Sequence, residues 1–151
     1  QNEWEIASGV PHIPFEALDA DYEIDKEAYQ EYFRKMHQLF PKCKKMLMAV
    51  RNQIASSHHT LSGLLYDAVE DQLYTTRIYD IEPIVDPMGV GDAFIAAYIH
   101  AHQKWGDKNQ YCLDFSLSAS AIKNTVPGDQ NLVTEEEIIN NMTSSGGRIQ
   151  R

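Results

Sequence analysis

Two aspartates bracket a proline and a glycine pair in Asp86-Pro87-Met88-Gly89-Val90-Gly91-Asp92, and no other stretch of the chain combines residue types so suited to chemistry. Ile84-Val85 ahead of it reads as a short strand end, and the apolar run Ala93 to Ile99 behind it as a helix. The motif is therefore a strand, a tight glycine turn and a helix N-terminus. Glycine lets a backbone approach a ligand with no side chain in the way. The unpaired N–H groups of a first helical turn, aided by the helix dipole, favour an anion. A carboxylate at that mouth, Asp92, repels an anion unless its task is to take a proton from a group attacking that anion. The plain alternative is that Asp92 is a helix N-cap, a position aspartate favours.

The elements that must position this turn are legible from patterning. Asp25 can cap a helix with Glu27 in its first turn; Tyr29, Tyr32, Phe33, Met36, Leu39 and Phe40 recur at helical spacing, and Pro41 ends it. Met46-Leu47-Met48-Ala49-Val50 reads as a strand buried on both faces of a parallel sheet. Arg51 to His59 then forms a loop at that strand's C-terminal end, where open α/β sheets bind ligands. Ser62–Tyr66 and Gln72–Tyr79 read as a β-hairpin around the polar turn Asp67 to Asp71. After the glycine turn, a helix runs to about Lys104. A second spans Tyr111 to Lys123, and a third opens on the capping box Thr134-Glu135-Glu136-Glu137. Adjacent His58 and His59 point to opposite sides of an extended chain, and His100 and His102 lie two apart on a helix, so neither pair suits a metal.

Composition limits the alternatives. A length of 151 residues, 43% hydrophobic and 23% charged, fits one globular domain. A net charge of −9 argues against a nucleic-acid surface. Two cysteines, Cys43 and Cys112, suit a reducing, cytoplasmic setting rather than a disulfide framework, and no apolar run approaches the ~20 residues of a membrane span.

The segment Asp86 to Phe94 resembles the signature D-T-x-G-A-G-D-x-F of the ribokinase-like (PfkB) carbohydrate kinases, with Pro87 for threonine and Val90 for alanine. Neither change removes an N–H from the turn. The resemblance implies a three-layer α/β/α, Rossmann-like sheet, here its C-terminal half with one β-hairpin, over residues 1–143, followed by a flexible tail at 144–151. It makes Asp92 the base that deprotonates the sugar hydroxyl, and Gly89, Val90 and Gly91 the anion hole for the transferred phosphoryl group. Asn2 and Glu5, in Asn2-Glu3-Trp4-Glu5, resemble the family's N-x-x-E element, which organises phosphate and the waters of Mg²⁺. Arg51 with Ser56, Ser57 and the two histidines resembles the nucleotide loop of the 2-keto-3-deoxygluconate kinase branch, although Arg51 would equally suit a carboxylate partner. Lys123-Asn124-Thr125-Val126-Pro127-Gly128-Asp129 resembles that branch's K-H-T-I-P-G-D run. Asn124 and Ala121, the latter in the small-residue stripe Ser116 to Ala121, are then expected at the nucleotide, with tight helix packing the alternative for the stripe. Asp86 either supports the loop or helps a monovalent-cation (K⁺) site.

The implied function is ATP- and Mg²⁺-dependent phosphorylation of a sugar or sugar acid, 2-keto-3-deoxygluconate first, with no nucleic-acid or membrane partner. Another PfkB specificity, such as ribokinase or fructokinase, and a truncated, non-catalytic nucleotide-binding remnant are the alternatives. A dinucleotide-binding oxidoreductase fits less well, since its glycine turn follows the first strand. The resemblance reaches only about half of the family's fold. The sugar-binding half is expected elsewhere, supplied by an N-terminal half or replaced by self-association, and the isolated chain is expected to be inactive.

Overall fold

The computed structural model describes residues 5–6, 9–10, 22–144 and 148–149. Asn2, most of the connection between Ile6 and Tyr22, and most of the expected tail lie outside the described residues. The aromatic stripe forms α1 (Lys26–Leu39), capped by the Asp25 carboxylate, which accepts the Ala28 N–H at 3.0 Å and so satisfies a first-turn donor with no intrahelical partner. Tyr29, Tyr32, Phe33 and Met36 are buried, while Leu39 and Phe40 at the helix end stay exposed.

The next segment departs from the sequence reading. β1 (Lys45–Ala55) is not a strand of a parallel sheet buried on both faces. It pairs antiparallel with β2 (His58–Asp67), from Lys45↔Asp67 to Gln53↔His59. Among the described residues its other edge has no strand beside it, and Met46, Leu47 and Met48 are only half-buried. Nor is Arg51 to His59 an irregular loop. The strand continues through Ala55, with a register irregularity after Gln53, turns at Ser56-Ser57 and returns at His58. Ser-Ser carries none of the Gly or Asn signals of a two-residue hairpin turn, and the alternating exposed positions of β1's end resemble loop polarity.

β2 is the spine of the sheet. On its far side it pairs antiparallel with β3 (Gln72–Thr75) and β4 (Tyr79–Ile81). The expected single strand Gln72–Tyr79 is broken at residues 76–78, where the Thr76 hydroxyl accepts the Gly63 N–H at 2.8 Å and the Thr76 N–H donates to the Gly63 carbonyl at 3.0 Å. The β2–β3 hairpin turn falls where the polar run placed it; the Asp67 carboxylate accepts the Val69 and Glu70 N–H groups. β5 (Arg148–Ile149) lies parallel to β4. Ile84-Val85, expected as a strand, lies beyond β4 in irregular chain.

Alternation along β2 divides the core. Leu64 and Tyr66 pack with α1, Val50 and Leu73. Leu61 and Leu65 pack with Tyr79, Ile81 and the helices α2 (Val90–Trp105), α3 (Asn109–Lys123) and α4 (Glu135–Thr143). α3 sits directly on the sheet because β2 carries Gly63 beneath it; a Cβ there would lie 3.3 Å from a Leu113 methyl. Thr134 and Glu137 form the expected capping box of α4. Helices thus cover both faces of a mainly antiparallel sheet, the α/β/α class implied by the resemblance. None of the described helices is long and apolar enough to cross a membrane.

Candidate active site

The N-terminus of α2 differs from those of α1 and α4. Gly89 is its N-cap, at φ 73°, and no side chain bonds its first-turn N–H groups. The Gly89 carbonyl starts the helix by accepting the Ala93 N–H at 2.9 Å. Val90, Gly91 and Asp92 therefore present N–H groups that lack intrahelical acceptors, at the positive end of the helix dipole. A Cβ built on Gly91 meets nothing within 4 Å, so the space above these groups is open. Asp92 is the third residue of the helix, exposed, and its carboxylate makes no hydrogen bond or ion pair among the described residues. The N-cap alternative for Asp92 is thus overturned, because Gly89 occupies that position.

The turn is held from beneath by backbone. Asp86 accepts the Met88 N–H at 2.9 Å with one carboxylate oxygen and the Gly128 N–H at 2.8 Å with the other. These two donors, and more weakly the charge of Lys123, hold its carboxyl below the usual range against a small desolvation penalty. The Asn124 carbonyl accepts the N–H groups of Val85 (2.8 Å) and Asp86 (3.2 Å), and the Ser57 carbonyl accepts that of Ile84 at 2.9 Å. Ser120 Oγ donates to the Val90 carbonyl at 3.0 Å, fixing the start of α2 to α3. Gly89 is pressed on the turn after α3: a Cβ there would lie 2.3 Å from the Asp129 carbonyl oxygen. Only glycine combines that approach with a left-handed φ at little cost.

Other expected site residues fall into three groups. Arg51, Ser56 and Ser57 are exposed at the hairpin end that bonds Ile84. Arg51 shares a face with its partner Leu61, the face that α2 and α3 cover, and makes no ion pair among the described residues. Asn124 is buried, its amide donating to the Ser120 carbonyl at 3.0 Å, so it braces the turn from inside. Ala121 is fully buried in the core, which removes it from a nucleotide surface. The stripe Ser116 to Ala121 is spent on packing. Its serines bond the Cys112 carbonyl, the Ile138 carbonyl of α4 and Val90. Glu5 lies in a short helical stretch, and its charge, after burial, helps raise the pKa of Tyr32 on α1.

Sequence reasoning missed the Gly128 N–H and the Asp129 carbonyl as partners of the turn. The signal was present in Pro127-Gly128, since Gly128 adopts φ 81°, but which groups it would reach is set by tertiary packing.

The α/β/α fold thus carries a glycine-capped helix end with a carboxylate beside it. No family model and no curated protein matches the chain. Among solved structures, the 2-dehydro-3-deoxygluconokinase of Thermotoga maritima matches over 95% of this chain with a TM-score of 0.78 and 26% identity. A PfkB family carbohydrate kinase from Listeria grayi matches over 82% with a TM-score of 0.71 and 27% identity. A structure from Enterococcus faecalis, at 19% identity and a TM-score of 0.70, shares the fold. The chain spans 39% and 36% of the length of the first two. The chain is similar in structure to ribokinase-like (PfkB) carbohydrate kinases, a 2-dehydro-3-deoxygluconokinase among them, and spans less than half the length of those kinases.

Proposed function

We propose that this chain carries the phosphoryl-transfer centre of an ATP-dependent carbohydrate kinase acting on 2-keto-3-deoxygluconate or a closely similar sugar acid. The observation that carries the reading is the uncapped first turn of α2 with Asp92 exposed beside it and unbonded among the described residues. Open N–H groups at a helix N-terminus suit a phosphoryl group, whose charge grows during transfer. Asp92 would take the proton from the attacking sugar hydroxyl as its oxygen bonds to the γ-phosphorus and the bond to ADP breaks. The N–H groups of Gly89, Val90 and Gly91 would hold the transferred group, and Arg51, Ser56 and Ser57 would border the nucleotide.

No group of three or more His, Cys, Asp or Glu among the described residues is arranged to ligate a metal directly. Mg²⁺ would be held through its waters, with Glu5 and Asn2 ordering them, and the bound ion would neutralise charge on the phosphates. Asp86 is assigned to loop support, because both its oxygens already accept backbone N–H groups.

The substrate half is the remaining part of a kinase-length assembly. The open edge of β1 and an apolar groove of about 310 Å³ between it and α1, lined by Tyr32, Phe33, Met36, Phe40 and Met46, would be covered by that companion segment or a second copy. A cytoplasmic setting suits both ATP and the free cysteines, Cys43 exposed and Cys112 buried. The test is ADP release, coupled to a panel of sugars and sugar acids. The protein assayed is the Thermotoga maritima kinase with its matching segment replaced by residues 1–151. Turnover selective for 2-keto-3-deoxygluconate supports the reading; a folded chimera that binds ATP but turns over none of them favours a non-catalytic remnant.

A further inference from the structure

Lys123, in the last turn of α3, has no exposed surface. A lysine is seldom fully buried without an anionic partner. Among the described residues its Nζ has one hydrogen bond, to the Val126 carbonyl at 3.0 Å, and no carboxylate within ion-pair distance. Two of its three N–H donors are therefore left to the electrostatics of the surroundings.

The segment that follows Lys123 is closely bonded to itself and to the glycine turn. The helix ends here, so its last carbonyls carry the negative end of the dipole. The chain then doubles back: Thr125 N–H bonds the Ile122 carbonyl at 2.9 Å, and Val126 N–H bonds the Lys123 carbonyl at 3.1 Å. The Asn124 carbonyl meets Val85 and Asp86, and Asp86 reaches across to the Gly128 N–H. Asp86 is also near enough to feel the charge of Lys123. Lys123 is thus buried with its Nζ on the Val126 carbonyl, at the base of the turn whose Gly128 N–H reaches Asp86 and against which Gly89 is pressed.

We propose that the buried ammonium of Lys123 is the internal counter-charge that clamps the Lys123–Asp129 turn onto Asp86–Gly89, making Lys123 a positioning residue for the open first turn of α2. The clamp stands on this chain's geometry alone; the statement that it serves a phosphoryl group rests on the kinase reading.

The test substitutes Lys123→Met, which keeps the length of the side chain and removes its charge, in the 151-residue chain. Amide exchange at Gly128 and Met88 is followed by NMR beside urea unfolding. Losing the clamp frees a hydrogen bond to a charged acceptor, so exchange at Gly128 accelerates about tenfold or more. The urea midpoint holds or rises, because an apolar replacement of a buried charge is often neutral or stabilising. A side chain that merely fills space would give the opposite pattern, with Gly128 exchange unchanged, and that result overturns the proposal. Should the variant not fold, the ¹⁵N signal of Lys123 Nζ in the wild-type chain decides. A slowly exchanging ammonium at neutral pH supports the clamp, and a neutral or rapidly exchanging amine overturns it. Inorganic phosphate, titrated against the Gly89 and Gly91 amides, separates the two claims. Binding weakened about tenfold by Lys123→Met supports both. Accelerated Gly128 exchange in a chain that never binds phosphate upholds the clamp and overturns the anion site.

Discussion

Replacing Gly89 by alanine tests the architecture of the turn. Alanine at φ 73° incurs the left-handed penalty, about 1–2 kcal/mol. Its Cβ would also lie 2.3 Å from the Asp129 carbonyl oxygen, a backbone atom that cannot rotate away, so the turn after α3 must shift. Shifting it also pulls the Gly128 N–H off Asp86, 2.8 Å away. Alanine's smaller loss of chain entropy returns about 0.5–1 kcal/mol. The left-handed penalty and the displaced turn together outweigh that return, a destabilisation of about 1 kcal/mol or more, read from urea unfolding with the slope unchanged. Gly91→Ala is the internal contrast: the position is helical and a Cβ there meets nothing, so the chain should gain about 0.5–1 kcal/mol. Loss below about 0.5 kcal/mol for Gly89→Ala, set against the left-handed penalty, would refute the contact between the two turns.

Other consequences are open to measurement. Asp86→Ala leaves the Met88 and Gly128 N–H groups without their acceptor and should lower the midpoint of thermal or urea melts. Burial and a hydrogen bond to Asp71 raise the pKa of Tyr66 to about 12. Because the folded state favours the neutral phenol, that stability is complete below the unfolded value of about 10 and is lost as pH rises toward the folded one. The urea midpoint should therefore fall between about pH 10 and 12, and Tyr66→Phe should flatten that fall. Thr134→Ala breaks the capping box of α4 and should cost about 1 kcal/mol.

The helices were legible because their signals are local. Asp25, the stripe Tyr29 to Met36 and the Thr134–Glu137 box each act within a few residues. The strands were less so. Met46 to Val50 has the apolar continuity of a doubly buried parallel strand, but its neighbour is the antiparallel β2, reached through a Ser-Ser turn without the usual residues. The glycine turn could be located from Asp86, Gly89, Gly91 and Asp92, whereas whether Asp92 caps the helix depends on where the left-handed residue falls. Ala121 was misplaced because a small residue on a helix is equally a ligand wall and a packing face, and only the neighbours α2 and α4 decide.

The central claim is that Asp92 is a base rather than a structural carboxylate. It makes no bond among the described residues, so Asp92→Asn should leave the unfolding midpoint within about 0.5 kcal/mol of the parent, as surface substitutions do. In the kinase chimera carrying residues 1–151, the same substitution should lower kcat at least ~100-fold, with the KM for ATP little changed. Near-normal turnover in a folded Asp92→Asn chimera would contradict the account.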